Sequence, residues 1–147
     1  MDTCIVCKMF RNEMDAAVLY RDDHVIAIMD HNPLNLGHVL ICPTQHYVDF
    51  DDVPEDVLAR VMAMAQTLYR AVKATYAPDG LSMMQNNGAF NELKHYHLHI
   101  FPRYKKDNLR LFVKQPNILN VDRLKEEVVK IRRDLPVSCH DCAGSAS

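Results

Sequence analysis

Residues 95–102 read His-Tyr-His-Leu-His-Ile-Phe-Pro, with histidine and bulky apolar residues in strict alternation. Successive side chains of a β-strand point to opposite faces, so this pattern predicts a strand. His95, His97 and His99 would line one face at intervals of about 6.5–7 Å, while Tyr96, Leu98 and Ile100 enter a core. A helix would scatter the three rings around its circumference. Each buried imidazole nitrogen needs a partner, so such a row adds little to folding. Imidazole can be a metal ligand, a nucleophile or a proton carrier near neutral pH. Two plainer readings stand beside these: a partly exposed, histidine-rich strand, and a purely metal-binding His-x-His pair.

The surrounding pattern predicts the rest of the fold. Val18-Leu19-Tyr20 and His24 to Met29 flank a polar turn at Arg21-Asp22-Asp23, which reads as a β-hairpin. Asn32-Pro33 and Gly37 punctuate a loop, and His38 to Cys42 forms a buried strand closed by Pro43. Pro54 opens a helix on which Val57, Val61, Met64, Leu68 and Val72 make one apolar stripe, ending at Ala77-Pro78-Asp79-Gly80. Leu81 to Gln85 is a further strand, and Leu124, Val128 and Ile131 mark a shorter, highly charged C-terminal helix. Consecutive strands with short links imply an α+β domain. Its antiparallel sheet would have about five strands, with one long helix and one shorter C-terminal helix. Residues 1–135 read as one domain and residues 136–147 as a small, polar, flexible tail.

Composition excludes some classes of function. A net charge of −2 provides no global field for nucleic acid or a membrane surface. No segment reaches the roughly 18 apolar residues of a membrane span, and no signal peptide is legible at the N-terminus. Five cysteines, four of them in two C-x2-C pairs, fit metal or redox chemistry in a reducing compartment. The expectation is a cytoplasmic protein.

The motif His-φ-His-φ-His-φ-φ, with φ apolar, resembles the signature of the histidine triad (HIT) family. Other segments agree in order: Cys4-Ile5-Val6-Cys7, Ile26-Ala27-Ile28-Met29-Asp30, Gly37-His38-Val39-Leu40-Ile41-Cys42-Pro43 and Gln85-Asn86-Asn87-Gly88. The resemblance covers roughly residues 2–104 and implies a HIT-like fold, usually homodimeric, with nucleotide hydrolase or nucleotidyl transferase activity. The substrate would be a purine nucleotide whose α-phosphate carries a leaving group, as in a nucleoside phosphoramidate or a dinucleoside polyphosphate. His97 would be the nucleophile and form a nucleotidyl-histidine intermediate. His99 would orient the opposite ring nitrogen of His97 or stabilise charge nearby, and His38 would give a hydrogen bond near the phosphate. Asn87 and loop amides could add donors. Asp30 would accept from ribose hydroxyls, or else cap a turn before Asn32-Pro33. Ile5, Val6 and Met9 would line an apolar base pocket, or else pack in an ordinary core. His24 and His31 read as loop or surface residues.

The resemblance to the zinc-containing branch implies a structural zinc ion held by Cys4, Cys7, His46 and His95, a closed Cys2His2 set. That leaves His97 free to act as a nucleophile. Two alternatives are a Cys4 site built with Cys139 and Cys142, and unliganded reduced thiols. Cys42 reads as a core residue.

The chain departs from the family pattern just before the triad. The common G-Q-[ST] segment is replaced by Ala89-Phe90-Asn91-Glu92-Leu93-Lys94, in a loop about two residues shorter. Asn91 could supply the missing donor, Glu92 would repel a phosphate, and Lys94 would face solvent. Arg103, Lys105 and Lys106 read as a solvated basic turn or an attractor for a phosphate tail. Besides the enzyme, two other readings are a nucleotide-binding module with little turnover and a zinc-dependent hydrolase with His97 and His99 as ligands.

Overall fold

The computed structural model describes residues 3–109 and 120–134. They fall in two compact units that divide after Leu109. The tail expected at residues 136–147 and the Cys139/Cys142 pair lie outside the described residues.

The first unit runs α1 (Ile5–Phe10), β1 (Val18–Arg21), β2 (Val25–Met29), β3 (Val39–Pro43), α2 (Glu55–Tyr76), β4 (Gly80–Met84) and β5 (Leu98–Arg103). Short 3-10 turns occupy Phe50–Asp52 and Gly88–Phe90. The five strands form one sheet in the order β1-β2-β3-β5-β4, with every pairing antiparallel. The α+β class and the five-stranded antiparallel sheet agree with the sequence reading. In the second unit, α3 (Val121–Arg132) is the C-terminal helix, its start capped by the Asn120 side chain accepting from the Arg123 amide.

Strand periodicity divides the core into two layers. Val25, Ala27, Val39, Ile41, Leu98 and Ile100 face α2, whose Val61, Ala65, Leu68 and Val72 are buried against them. Ile26, Ile28, Leu40 and Cys42 face the other way and meet Val6 of α1. Pro54 is the N-cap of helix α2, and Glu55 and Asp56 in its first turn complement the positive end of its dipole. It stops where Ala77 turns left-handed at φ 42°. The turn of the β1–β2 hairpin is one residue later than expected. Asp22 Oδ1 accepts from the amides of His24 and Val25, both at 2.7 Å.

Helix α1 has no counterpart in the sequence reading, because six residues are too few for a helical period to show. It is held at its C-terminal end by Arg21, which donates to the Met9 carbonyl at 2.8 Å and to Asn12 Oδ1 at 2.9 Å. A guanidinium there complements the exposed carbonyls of the last turn.

The histidine strand is shorter than predicted, since β5 begins at Leu98 and neither His95 nor His97 belongs to it. Continuing the register Val39↔Ile100, Leu40↔His99, Ile41↔Leu98 would place Tyr96 opposite Pro43. Pro43 has no N–H to extend the ladder. The Tyr96 amide instead donates to the Tyr47 carbonyl at 2.7 Å, and the chain enters this segment through Lys94 at φ 49°. Pro102 is tolerated in a central strand because it lies beyond the last paired residue of β3.

Gly37, in the β2–β3 loop just before His38, has φ +93°, and a Cβ there would lie 2.6 Å from the Tyr76 ring. Gly37→Ala is expected to destabilise the fold by about 1–3 kcal/mol in urea unfolding. An unchanged midpoint would show that this close approach is unimportant.

Candidate active site and metal centre

The α1 side of the sheet carries the chemistry. His99 lies opposite Leu40 on β5, His97 precedes it, and His38 leads into β3. The His97 and His99 ring centroids are 4.7 Å apart, and those of His38 and His99 5.1 Å.

Hydrogen bonding fixes the tautomers by elimination. The Leu34 amide donates to His38 Nδ1 at 3.1 Å, so the His38 proton sits on Nε2. His38 Nε2 then donates to His99 Nδ1 at 2.9 Å, which leaves the His99 proton on Nε2. His97 Nδ1 donates to the His95 backbone carbonyl at 2.7 Å, which leaves His97 Nε2 with an unshared lone pair. Of the two roles open to His99, orienting His97 is therefore taken by the His95 carbonyl. No sequence signal carries that, because the partner is a main-chain atom.

Burial favours the neutral imidazoles. It pushes His38 and His97 below the ordinary histidine range. Burial, together with the neighbouring His97 and His38, takes His99 down to about 4. Asp30 opposes each of these shifts.

Asp30 directly follows β2. Its Oδ1 caps the turn by accepting from the Asn32 amide at 2.9 Å, while Oδ2 lies 3.5 Å from His38 Nδ1. Val6 is 1% exposed among Ile26, Ile28, Leu40 and Cys42, so it is a core residue and lines no pocket. Ile5 and Met9 are only half-buried at the edge of that cluster. Asn87 is exposed and tied into its loop, with Oδ1 accepting from the Phe50 amide and Gln85 Nε2. Its Nδ2 donates to Gln85 Oε1.

Asn91 does not replace the missing donor. It is 0% exposed, and its Nδ2 donates to the Val48 carbonyl at 2.6 Å and Asp49 Oδ1 at 3.4 Å. Asp49, which also accepts from the Gly88 amide, is a loop organiser that no sequence pattern announces. Lys94 is exposed and donates to the Gly88 carbonyl. Arg103 is no phosphate attractor: Asp107, Ser82 and the Leu109 carbonyl hold its guanidinium. His24 and His31 are exposed, and Cys42 is buried.

The second constellation brings Cys4, Cys7, His46 and His95 together, with one donor atom from each within 4.8 Å of the others. Cys4 Sγ is 3.4 Å and Cys7 Sγ 3.7 Å from His95 Nδ1, and Cys7 Sγ is 3.5 Å from His46 Nδ1. A tetrahedral zinc ion with Zn–S of about 2.3 Å and Zn–N of about 2.0–2.1 Å needs donor separations of this size. His95 Nε2 donates to the Pro43 carbonyl at 2.9 Å, which presents Nδ1 as the lone-pair nitrogen, the usual support of a ligating histidine. Burial pushes the Cys7 thiol up to about 11, reinforced by Cys4, and a divalent cation is what reverses that preference. The residues fit the ion, and His97 lies outside the set. The other group able to hold a metal among the described residues is Asp30, His38 and His99. It also omits His97, and its two imidazoles are already bonded to each other.

The purified protein is expected to carry about one zinc per chain by elemental analysis. Cys7→Ser or His46→Ala would lose it, while His97→Ala retains it. Equal zinc in all variants would place the metal elsewhere. The His99 ring is expected to titrate near 4 in an NMR pH series. Because its folded value is depressed, its stabilising share is full above the ordinary histidine range and declines as pH falls toward 4. A His99 midpoint at or above 6.5 would contradict the buried neutral network.

The HIT domain pattern matches residues 11–106. An uncharacterized HIT-like protein of Methanocaldococcus jannaschii is 40% identical over 129 residues, covering 86% of this chain and 96% of its own. An adenylylsulfatase of Arabidopsis thaliana is 35% identical over 108 residues, 72% of this chain and 55% of its own. The crystal structure of a Zn-bound histidine triad family protein from Mycobacterium smegmatis superposes with a TM-score of 0.70 at 28% identity, covering 91% of this chain and 99% of that one. With five ordered sequence matches, the sheet that carries them and these likenesses, the chain belongs to the HIT family.

Proposed function

We propose that the chain is a nucleotide hydrolase or nucleotidyl transferase that cleaves at the α-phosphate through a nucleotidyl intermediate on His97. The observation that carries this reading is the bond from His97 Nδ1 to the His95 carbonyl, which leaves Nε2 unprotonated beside two further imidazoles. A neutral imidazole attacks phosphorus without prior deprotonation. The Nε2–P bond forms as the bond from phosphorus to the leaving group breaks. The leaving group departs with the bonding electrons and takes a proton from water. Water then attacks phosphorus and releases a nucleoside monophosphate and free His97.

The hydrogen-bonded chain Leu34–His38–His99 supplies a fixed N–H donor at His99 Nε2 next to His97. Such a donor stabilises charge developing on the phosphate oxygens without reorganising. Asp30, held by its turn, suits ribose hydroxyls, and Ile5 and Met9 offer apolar surface to a purine base. Zinc would act as a structural ion, joining the N-terminal segment to the residue whose carbonyl orients His97. Homodimerisation and a cytoplasmic location belong to the same reading and rest on the resemblance and on cysteine usage.

The second reading is a nucleotide-binding module with little turnover. It is favoured by the loop before the triad, where Asn91 turns its amide into the protein. Turnover separates the two. With an adenosine phosphoramidate and a diadenosine polyphosphate, the enzyme should release nucleoside monophosphate from at least one. His97→Ala should lower that rate by about 10³-fold or more, and added imidazole should partly rescue His97→Gly. Tight monophosphate binding with no release above the His97→Ala level would establish the binding module instead.

A further inference from the structure

Helix α3 carries an exposed apolar seam that the proposed activity does not use. Val121, Leu124, Val128 and Ile131 recur at spacings of three, four and three, and are 64%, 47%, 43% and 63% exposed. No residue of α3 is buried. Alternating three- and four-residue steps are the coiled-coil rhythm, with Val121 and Val128 at a positions and Leu124 and Ile131 at d positions. β-Branched residues at a with leucine at d, as in the Val121–Leu124 step, favour two parallel strands, and Ile131 fills the second d position.

The flanking charges choose the partner. Lys125 and Arg132 occupy the e positions, Glu127 and Asp134 the g positions. In a parallel pair each g residue faces the e residue five positions further along the other helix, which sets Glu127 against Arg132 of a second copy, twice by symmetry. An antiparallel pair sets like charges beside like. Glu127 now bonds Arg123 and Lys130 on its own helix at 3.1 and 2.8 Å. These are exposed pairs of small worth, so Glu127 is free to turn toward a partner.

We propose that α3 is a homotypic interaction helix, pairing in parallel with α3 of a second copy of this chain through the Val121–Leu124–Val128–Ile131 seam. Twelve residues span about 18 Å, at the lower edge of the roughly 12–15 residues below which isolated helices are marginal. The seam therefore reinforces an assembly of two chains and does not create one unaided.

The test uses the full-length chain at low salt. Glu127→Arg and Arg132→Glu, made separately, should each raise the dissociation constant of the dimer roughly tenfold. The double variant Glu127→Arg/Arg132→Glu should bring it back to within a few-fold of the original. The restoration isolates the contact between chains, because the repulsion that the arginine introduced by Glu127→Arg meets from Arg123 and Lys130 on its own helix persists in the double variant. Native mass spectrometry of the two single variants mixed and re-equilibrated should show mixed dimers in excess of the statistical half, with circular dichroism confirming that each remains folded. Equal dissociation constants and a statistical mixture would overturn the proposal, and would mean that another surface covers the seam.

Discussion

One hydrogen bond, from His97 Nδ1 to the His95 carbonyl, decides the chemistry available to this chain. Imidazole has two nitrogens and, when neutral, one proton. Assigning the proton to one nitrogen gives the lone pair to the other. Burial keeps the ring neutral, and the carbonyl keeps its orientation. Much of the surrounding structure serves that assignment. Pro43 ends the ladder, so the His95–His97 segment leaves the sheet and its carbonyl becomes available to a side chain instead of a neighbouring strand.

The same interruption lets His95 face two ways. Its ring donates to Pro43 and presents Nδ1 to Cys4 and Cys7, while its carbonyl orients His97. A metal in that cluster would couple α1 to the His95–His97 segment through one residue and leave the His97 ring untouched. The two faces of the sheet divide the work: the α2 side supplies apolar burial, and the α1 side holds the imidazoles over Leu40 and Phe101.

The sequence was legible where a repeating pattern reports on a repeating structure. Val57 to Val72 showed the long helix, the apolar strands showed the sheet, and alternation put His97 and His99 on one side. The spacing of Cys4 and Cys7 suggested two thiolates on one ion, and the resemblance added His46 and His95, a cluster that the fold assembles from three separate places in the chain. What stayed hidden depends on single tertiary contacts. Helix α1 is too short for a period. The early end of the ladder depends on which residue faces Pro43, which is a matter of register. The burial of Asn91 depends on the Val48 carbonyl, and no side-chain pattern announces a carbonyl.

The central claim is that the lone pair of His97 lies on Nε2, and nitrogen NMR of the histidine-labelled protein at neutral pH reads it directly. The account predicts a protonated Nδ1 and an unprotonated, pyridine-like Nε2 for His97, with the proton of His99 on Nε2. A His97 ring protonated at Nε2, or at both nitrogens, would contradict it.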